Sequence, residues 1–288
     1  MTEKIQTITE IHNHLKGMFA SSWHAEEAGA MARLIIEEYT GIGGARQMAF
    51  GDILPDASAV EKIFHAAVRA SSGEPLQYIF GHTTFCGVHI NVRPGVLIPR
   101  PETEELTLLA IRENDGFNDT VLDLCTGSGC IAVALSAAFP EAEVHASEKY
   151  DTALNIAREN ATLNNTKVNF IQADILKEDP GIYPASRLIV SNPPYVRESE
   201  KKLMHMNVVE HEPHQALFVP DSDPLLFYRA IARIAEKRLL AGGLLYLEIN
   251  EALSSQTSYL FLNHHFSDVQ IIDDIRGKKR FLKARRNG

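Results

Sequence analysis

Apolar positions recur at helical spacing through the first quarter of the chain. Ile5, Ile8, Ile11 (or His12), Leu15, Met18 and Phe19 share one helical face, and Ala28, Met31, Ile35 and Tyr39 share another. Ser58 with Glu61 makes a capping box ahead of a third stripe, Val60, Ile63, Phe64, Ala67 and Val68. Ser71-Ser72-Gly73 breaks the period, so residues 1–72 read as a small helical bundle domain. Between 76 and 98, β-forming residues punctuated by Gly81, Gly87 and Gly95 predict a β-hairpin, and 73–99 reads as a linker.

From residue 100 the rhythm changes. Short apolar runs predict strands at 121–124, 143–147, 168–172, 188–191, 244–249, 269–272 and 280–284. Periodic segments between them predict helices at 131–138, 153–163, 225–240 and 252–262. Alternation of this kind builds an α/β fold whose seven-stranded, mostly parallel sheet is covered on both faces. The last two strands are close enough to pair antiparallel. This second domain spans 100–288.

Composition removes several classes. With 288 residues, 45% of them hydrophobic, the chain can bury a sizeable core in each of two domains. A formal net charge of −9 argues against a general nucleic-acid coat, so no stable nucleic-acid binding is expected. Cys86, Cys125 and Cys130 form no C-x-x-C pair and indicate neither a disulfide framework nor a zinc site. His211 and His214 lack a third ligand, and no metal is expected. Met1-Thr2-Glu3-Lys4 leads into an amphipathic pattern rather than a signal core, and no apolar run approaches the roughly 20 residues that span a bilayer. The expected home is the reducing cytoplasm, without a membrane partner. Arg276, Lys278, Lys279, Arg280, Lys283, Arg285 and Arg286 read as a solvated edge strand guarded by its charges, or as a contact for ribosomal RNA or an acidic partner.

Two strand ends carry candidate chemistry. Asp123-Leu124-Cys125-Thr126-Gly127-Ser128-Gly129-Cys130 joins a strand to a helix, and its glycines allow a ligand close to the backbone at a helix N-terminus. Glu148 ends the next strand, where a carboxylate can grip both hydroxyls of an adenosine ribose. Dinucleotide enzymes share this geometry with enzymes that use S-adenosylmethionine. Asp123 favours the second, because a carboxylate suits an ammonium group and is a poor neighbour for a pyrophosphate. Asp174, after the third strand, either accepts from an adenine amino group, with Ile175 packed on the ring, or caps a helix.

Asn192-Pro193-Pro194-Tyr195 follows the apolar run 188–191. It reads as a rigid turn, or as a site that alkylates a planar amino nitrogen. The Asn192 side-chain oxygen and a neighbouring main-chain carbonyl can each accept one N–H of an –NH2 group. The prolines carry no N–H that competes for those carbonyls. Tyr195 offers a flat wall for an amide or a base. Hydride transfer has no use for such a site, which again favours the sulfonium cofactor.

Glycine loop, acidic strand end and N-P-P-Y together resemble a class I (Rossmann-like) S-adenosylmethionine-dependent methyltransferase that acts on an amino nitrogen. Gly73-Glu74-Pro75-Leu76-Gln77-Tyr78-Ile79-Phe80-Gly81 and Leu97-Ile98-Pro99-Arg100-Pro101-Glu102-Thr103-Glu104 are similar to segments of the PrmC/HemK family. Those enzymes are protein-glutamine N5-methyltransferases that modify peptide-chain release factors. Ser191-Asn192-Pro193-Pro194-Tyr195-Val196 and Glu210-His211-Glu212-Pro213 fit the same family.

The resemblance implies a helical domain that helps dock a release factor, a hairpin linker and a catalytic domain acting on the glutamine of a Gly-Gly-Gln motif. It places Asn192 and Pro193 as acceptors for the glutamine amide, with Pro194 and Tyr195 in its pocket. Thr126, Gly127, Ser128, Gly129, Glu148 and Asn192 become cofactor contacts, beside Cys125, Asp174 and Ile175. Cys125 stands where many relatives have glycine, Glu148 where aspartate is frequent, and Ile175 where some have an aromatic residue. Arg100 and Glu102 shape the cofactor pocket or pair with each other; Glu212 orders a loop over the substrate or caps a turn. Rival readings are an amino-methyltransferase for adenine, cytosine or guanine, a glutamine methyltransferase for a ribosomal protein, a non-catalytic cofactor-binding adaptor, and a nicotinamide oxidoreductase.

Overall fold

A computed structural model describes residues 7–20 and 23–288, so Met1–Lys4 and Ile5 lie outside the described residues. The chain divides into two compact units, one holding residues up to Gly81 together with Met206–His211, the other His82–His205 and Glu212–Gly288.

In the first unit the elements are α1 (Ile8–Phe19), α2 (Ala25–Thr40), α3 (Gly44–Ala49), α4 (Ala57–Ser71) and α5 (Leu76–Phe80). Thr7 and Glu10 close a reciprocal capping box on α1. The expected box at Ser58 and Glu61 is replaced by Asp56, whose carboxylate accepts the Ala59 N–H at 2.9 Å and starts α4 earlier. Ile8, Ile11, Leu15 and Phe19 pack with Ala28, Ala32, Ile35 and Ile36 and with Val60, Ile63, Ala67 and Ala70. Val68 departs from the expected stripe and is exposed, because the buried face of α4 runs through Ala59, Ile63, Ala66 and Ala70 instead. Leu76–Phe80 departs too: it forms a single helical turn closed by Gly81 at φ 82° rather than the start of a hairpin.

The second unit opens with the hairpin β1 (His82–Phe85) and β2 (Val88–Asn91). Its two-residue turn has positive φ at both Cys86 (48°) and Gly87 (79°), which matches the right-handed twist of the strands. There follow α6 (Pro101–Glu113), β3 (Thr120–Leu124), α7 (Cys130–Ala138), β4 (Glu143–Glu148), α8 (Asp151–Leu163), β5 (Val168–Gln172) and β6 (Ser186–Ser191). A short parallel pair, β7 (Val196–Arg197) with β8 (Phe218–Val219), brackets the excursion through α9 (Met206–His211). The chain then forms α10 (Leu226–Arg238), β9 (Leu239–Glu248), α11 (Ser254–Leu262), β10 (Phe266–Asp273) and β11 (Lys279–Arg286).

Seven strands make one sheet in the order β10-β11-β9-β6-β3-β4-β5. The five from β9 to β5 are parallel, and β11 pairs antiparallel with both β9 and β10. Alternate residues serve opposite faces. Leu122, Leu124, Ile189, Leu245, Leu247, Leu282 and Ala284 bury against Ile231, Ile234 and Phe261 of α10 and α11. Helices α6, α7 and α8 pack side by side and cover strands from the other face. The basic tail is therefore not an edge strand as expected. β11 is interior, and Lys283 pairs with Glu113 at 2.7 Å and Arg285 with Asp268 at 3.1 Å. Among the described residues, no helix is long and apolar enough to cross a membrane.

Candidate active site

In this order the chain moves outward from β3 through β4 to β5, then jumps back to β6 on the other side of β3. A sheet opens a crevice at such a reversal, outside the carboxyl ends of the two strands. Here those ends are in register: Leu124 lies opposite Ser191, and the Ser191 hydroxyl donates to the Leu124 carbonyl at 2.6 Å. The glycine loop and the N-P-P-Y turn thus leave the sheet side by side. A cleft opens between them, lined by Cys125, Thr126, Gly127, Ser128, Glu148, Asp174, Ile175, Asn192 and Pro194, among others.

The loop turns by positive φ at Cys125 (61°), Gly127 (55°) and Gly129 (82°). Its two glycines serve different ends. A Cβ on Gly127 would meet nothing within 4 Å, so this position leaves the backbone open. A Cβ on Gly129 would lie 2.9 Å from that of Ala157, so this position lets α7 close onto α8 and does not line the cavity. Glu148 reaches across with Oε2 on the Gly127 N–H at 3.0 Å, while Oε1 accepts from Lys149 and Tyr150 N–H at 2.8 and 3.0 Å. The carboxylate is locked at the cavity wall: both acceptor sites of Oε1 are taken by backbone N–H groups, and Oε2 keeps one for a ligand hydroxyl.

Asp123 does not reach the cavity. It is fully buried under the loop, where the Thr126 hydroxyl donates to it at 2.5 Å, and burial pushes its carboxyl up to about 7. A neutral or half-neutral acid in that place is a poor partner for an ammonium group, contrary to the expectation. Asp174 lies on the wall and also caps its own turn, accepting the Leu176 N–H at 3.1 Å. Its other oxygen sits 3.2 Å from Lys149 Nζ. Ile175 is buried and apolar beside it.

The Asn192 amide nitrogen donates to Thr103 Oγ1 at 2.9 Å. Thr103 in turn donates to Glu248 Oε2 at 2.6 Å, and the Tyr195 hydroxyl donates to Glu248 Oε1 at 2.6 Å. Burial raises the Glu248 carboxyl, while the hydroxyls of Thr103 and Tyr195 and the charge of Arg280 act the other way. Tyr195 was expected as the flat wall of an amide pocket but does not line this cavity. Its hydroxyl reaches back to Glu248 and its ring packs against the core below the sheet end. Pro193 is buried and likewise outside the lining.

Arg100 does not pair with Glu102. It donates to Glu212 Oε1 at 2.7 Å, and Glu212 Oε2 accepts the Ile98 N–H at 3.1 Å. Glu212 is buried, so this one carboxylate ties together two segments, 95–100 and 213–216, that both line the cavity. Among the described residues no cluster of His, Cys, Asp and Glu could hold a metal ion.

Reasoning from residues alone missed Thr103 as a partner of Asn192, Glu248, and Lys149. Glu248 did leave a signal, since it is a lone carboxylate ending the apolar run 244–247 at the ligand edge of the sheet. Nothing in the local pattern marks Thr103.

The chemistry available is that of a methyl-transfer crevice: a backbone-open loop, a fixed carboxylate, an apolar wall and an amide held from behind. The methyltransferase small domain family matches residues 103–217, and the PrmC N-terminal domain family matches 20–81. A release factor glutamine methyltransferase of Bacteroides thetaiotaomicron is 43% identical over 91% of this chain and 94% of its own. One of Flavobacterium psychrophilum is 45% identical over 73% and 75%. Among solved structures, a methyltransferase from Pyrococcus furiosus aligns with a TM-score of 0.51 at 18% identity, over 81% of this chain and 100% of that one. A T. thermophilus 16S rRNA methyltransferase, solved with AdoMet and guanosine, aligns with a TM-score of 0.51 at 22% identity, over 72% and 50%. These two structures share the fold. The protein is an enzyme of the methyltransferase class. Within that class, the chain belongs to the family of release factor glutamine methyltransferases.

Proposed function

We propose that this enzyme transfers a methyl group from S-adenosylmethionine to the side-chain amide nitrogen (N5) of the glutamine in the Gly-Gly-Gln motif of peptide-chain release factors. The observation that carries the reading is the junction of β3 and β6. There the glycine loop and Asn192 share one cavity, and the Asn192 nitrogen is committed to Thr103. The names of the relatives support the same substrate.

The residues present suit the cofactor. Gly127 leaves backbone open to it, Glu148 is fixed for a ribose diol, and Asp174 with Ile175 suits an adenine. Cys125, Thr126 and Ser128 complete that wall. When bound, S-adenosylmethionine supplies an electrophilic methyl carbon.

A carboxamide nitrogen is a weak nucleophile because its lone pair is delocalised into the carbonyl. Asn192 Oδ1, on the cavity wall, accepts one of its N–H groups, so the nitrogen is turned and growing positive charge on it is stabilised. Preorganised dipoles of this kind are typically worth about 3 to 4 kcal/mol per group removed. Once alkylated, the nitrogen is acidic and releases its proton to water, so no strong base is needed beforehand. In this reading the helical unit, up to Gly81, helps dock the protein substrate, the unit that opens with the His82–Asn91 hairpin catalyses, and the enzyme works in the cytoplasm beside its substrates.

The test is mass spectrometry on release factor incubated with enzyme and S-adenosylmethionine. The expected result is the mass of one methylene gained on the peptide that carries Gly-Gly-Gln. A gain on ribosomal protein or on RNA, with none on release factor, overturns the assignment.

A further inference from the structure

An asparagine serves as an acceptor for a substrate –NH2 only if its own –NH2 points elsewhere. Turned over, it would set donor against donor. The two ends of the amide are nearly the same shape, so packing alone discriminates poorly between them. Something must break the symmetry.

The structure supplies it in buried hydroxyls. Thr103 is 2% exposed, and its hydroxyl has a single proton. That proton goes to Glu248 Oε2 at 2.6 Å. What Thr103 offers Asn192, at 2.9 Å, is therefore a lone pair, and only the Nδ2 end can answer it. Glu248 is 1% exposed and its second oxygen accepts from Tyr195 at 2.6 Å, so both donors converge on one carboxylate. The contacts are long in sequence and come from three elements: Thr103 from α6, Glu248 from the end of β9, and Tyr195 from beyond β6.

We propose that Thr103 and Glu248, braced by Tyr195, are positioning residues that hold the Asn192 amide with its oxygen toward the cavity. The proposal deepens the amino-nitrogen reading above and rests on it. Thr103 itself lines the cavity, but its hydroxyl proton is spent on Glu248 and its lone pair on Asn192, so it acts through Asn192. The hydroxyl of Tyr195, 2.6 Å from Glu248 Oε1, braces that carboxylate.

A double-mutant cycle tests this on the full-length enzyme. Thr103→Val keeps the shape and removes the hydroxyl. It should lower kcat about tenfold, the worth of one ordinary hydrogen bond, with cofactor affinity near that of the parent. The melting temperature should fall by the same amount in the parent and in an Asn192→Ala background, because Glu248 loses a donor in both. Thr103→Ser, which restores the hydroxyl, should recover most of the loss. In the Asn192→Ala background the same Thr103→Val change should cost no further kcat, since the residue it acts through is gone. An equal loss of kcat in both backgrounds would show that Thr103 merely supports the fold and would overturn the proposal. No loss in either would do the same. If methyl is found on a nucleobase amine and not on glutamine, the substrate reading fails. The cycle, run on that amine, still decides whether Thr103 orients Asn192.

Discussion

The loop at 125–129 is held by near neighbours. Thr126 N–H goes to Ser147, Gly129 N–H to Thr126, and Gly127 N–H to Glu148, all within the run from β3 to β4. The corner at 191–195 is held from far away. Asn192 leans on Thr103, Tyr195 leans on Glu248, and the Tyr195 carbonyl accepts from Asn250 at 3.1 Å. The first wall is built mostly from backbone, pinned by the Glu148 side chain on the Gly127 N–H and by Asn160 of α8, which donates to the Ser128 carbonyl at 2.9 Å. The second is a side-chain device and depends on residues that few substitutions could replace.

The sharpest way to separate the walls is Asn192→Ala. It should cut turnover by about 10² to 10³ while leaving cofactor affinity nearly unchanged, as read by methyl transfer and by titration calorimetry. A comparable loss of cofactor affinity would show that the two walls are not independent.

Arg100→Ala comes next. It strips Glu212 of its charged partner while Glu212 stays buried, which should cost about 2 to 3 kcal/mol in denaturant unfolding. Smaller again is Gly129→Ala. The new methyl would meet Ala157 at 2.9 Å in a left-handed backbone, so a loss of about 1 to 3 kcal/mol is expected. Gly127→Ala carries only the backbone strain, about 1 kcal/mol, and should weaken cofactor binding more than stability.

A further effect concerns pH. Asp123 has a folded value near 7 against roughly 3.9 when unfolded, so the folded state binds the extra proton. Its contribution to stability is full below the unfolded value and is lost as pH rises through the folded one. Melting temperature should fall across that window, and Asp123→Asn should flatten the slope. An unchanged slope in the variant would place the proton elsewhere.

The centre of the parallel sheet is legible in the chain because β3 and β6 are largely buried and read as apolar runs, whereas β4 carries polar residues and β5 is a half-exposed edge. The loop wall is legible for a related reason: its spacing is local, from Gly127 and Gly129 to Glu148. Legibility fails where partners are distant. Thr103 and Glu248 meet across 145 positions, and no local pattern announces the meeting. The order of the last strands fails likewise, since antiparallel pairing of β10 with β11 is satisfied whether β11 lies inside or at the edge. Leu76–Phe80 was misread because its apolar and aromatic residues suit a strand, while Gly81 ends it as a helical turn. Asp56 was overlooked because Ser58 and Glu61 imitate the same signature two positions on.

The strand order has a further consequence for assembly. β10 is made before β11, yet it has no place in the sheet until β11 lies down beside β9. A nascent chain that has emerged only as far as residue 273 therefore shows the apolar side of α11 and a bare flank of β9 to its surroundings. Chaperone engagement should concentrate in that interval, and it should end when the antiparallel pair slots in as a finished ribbon.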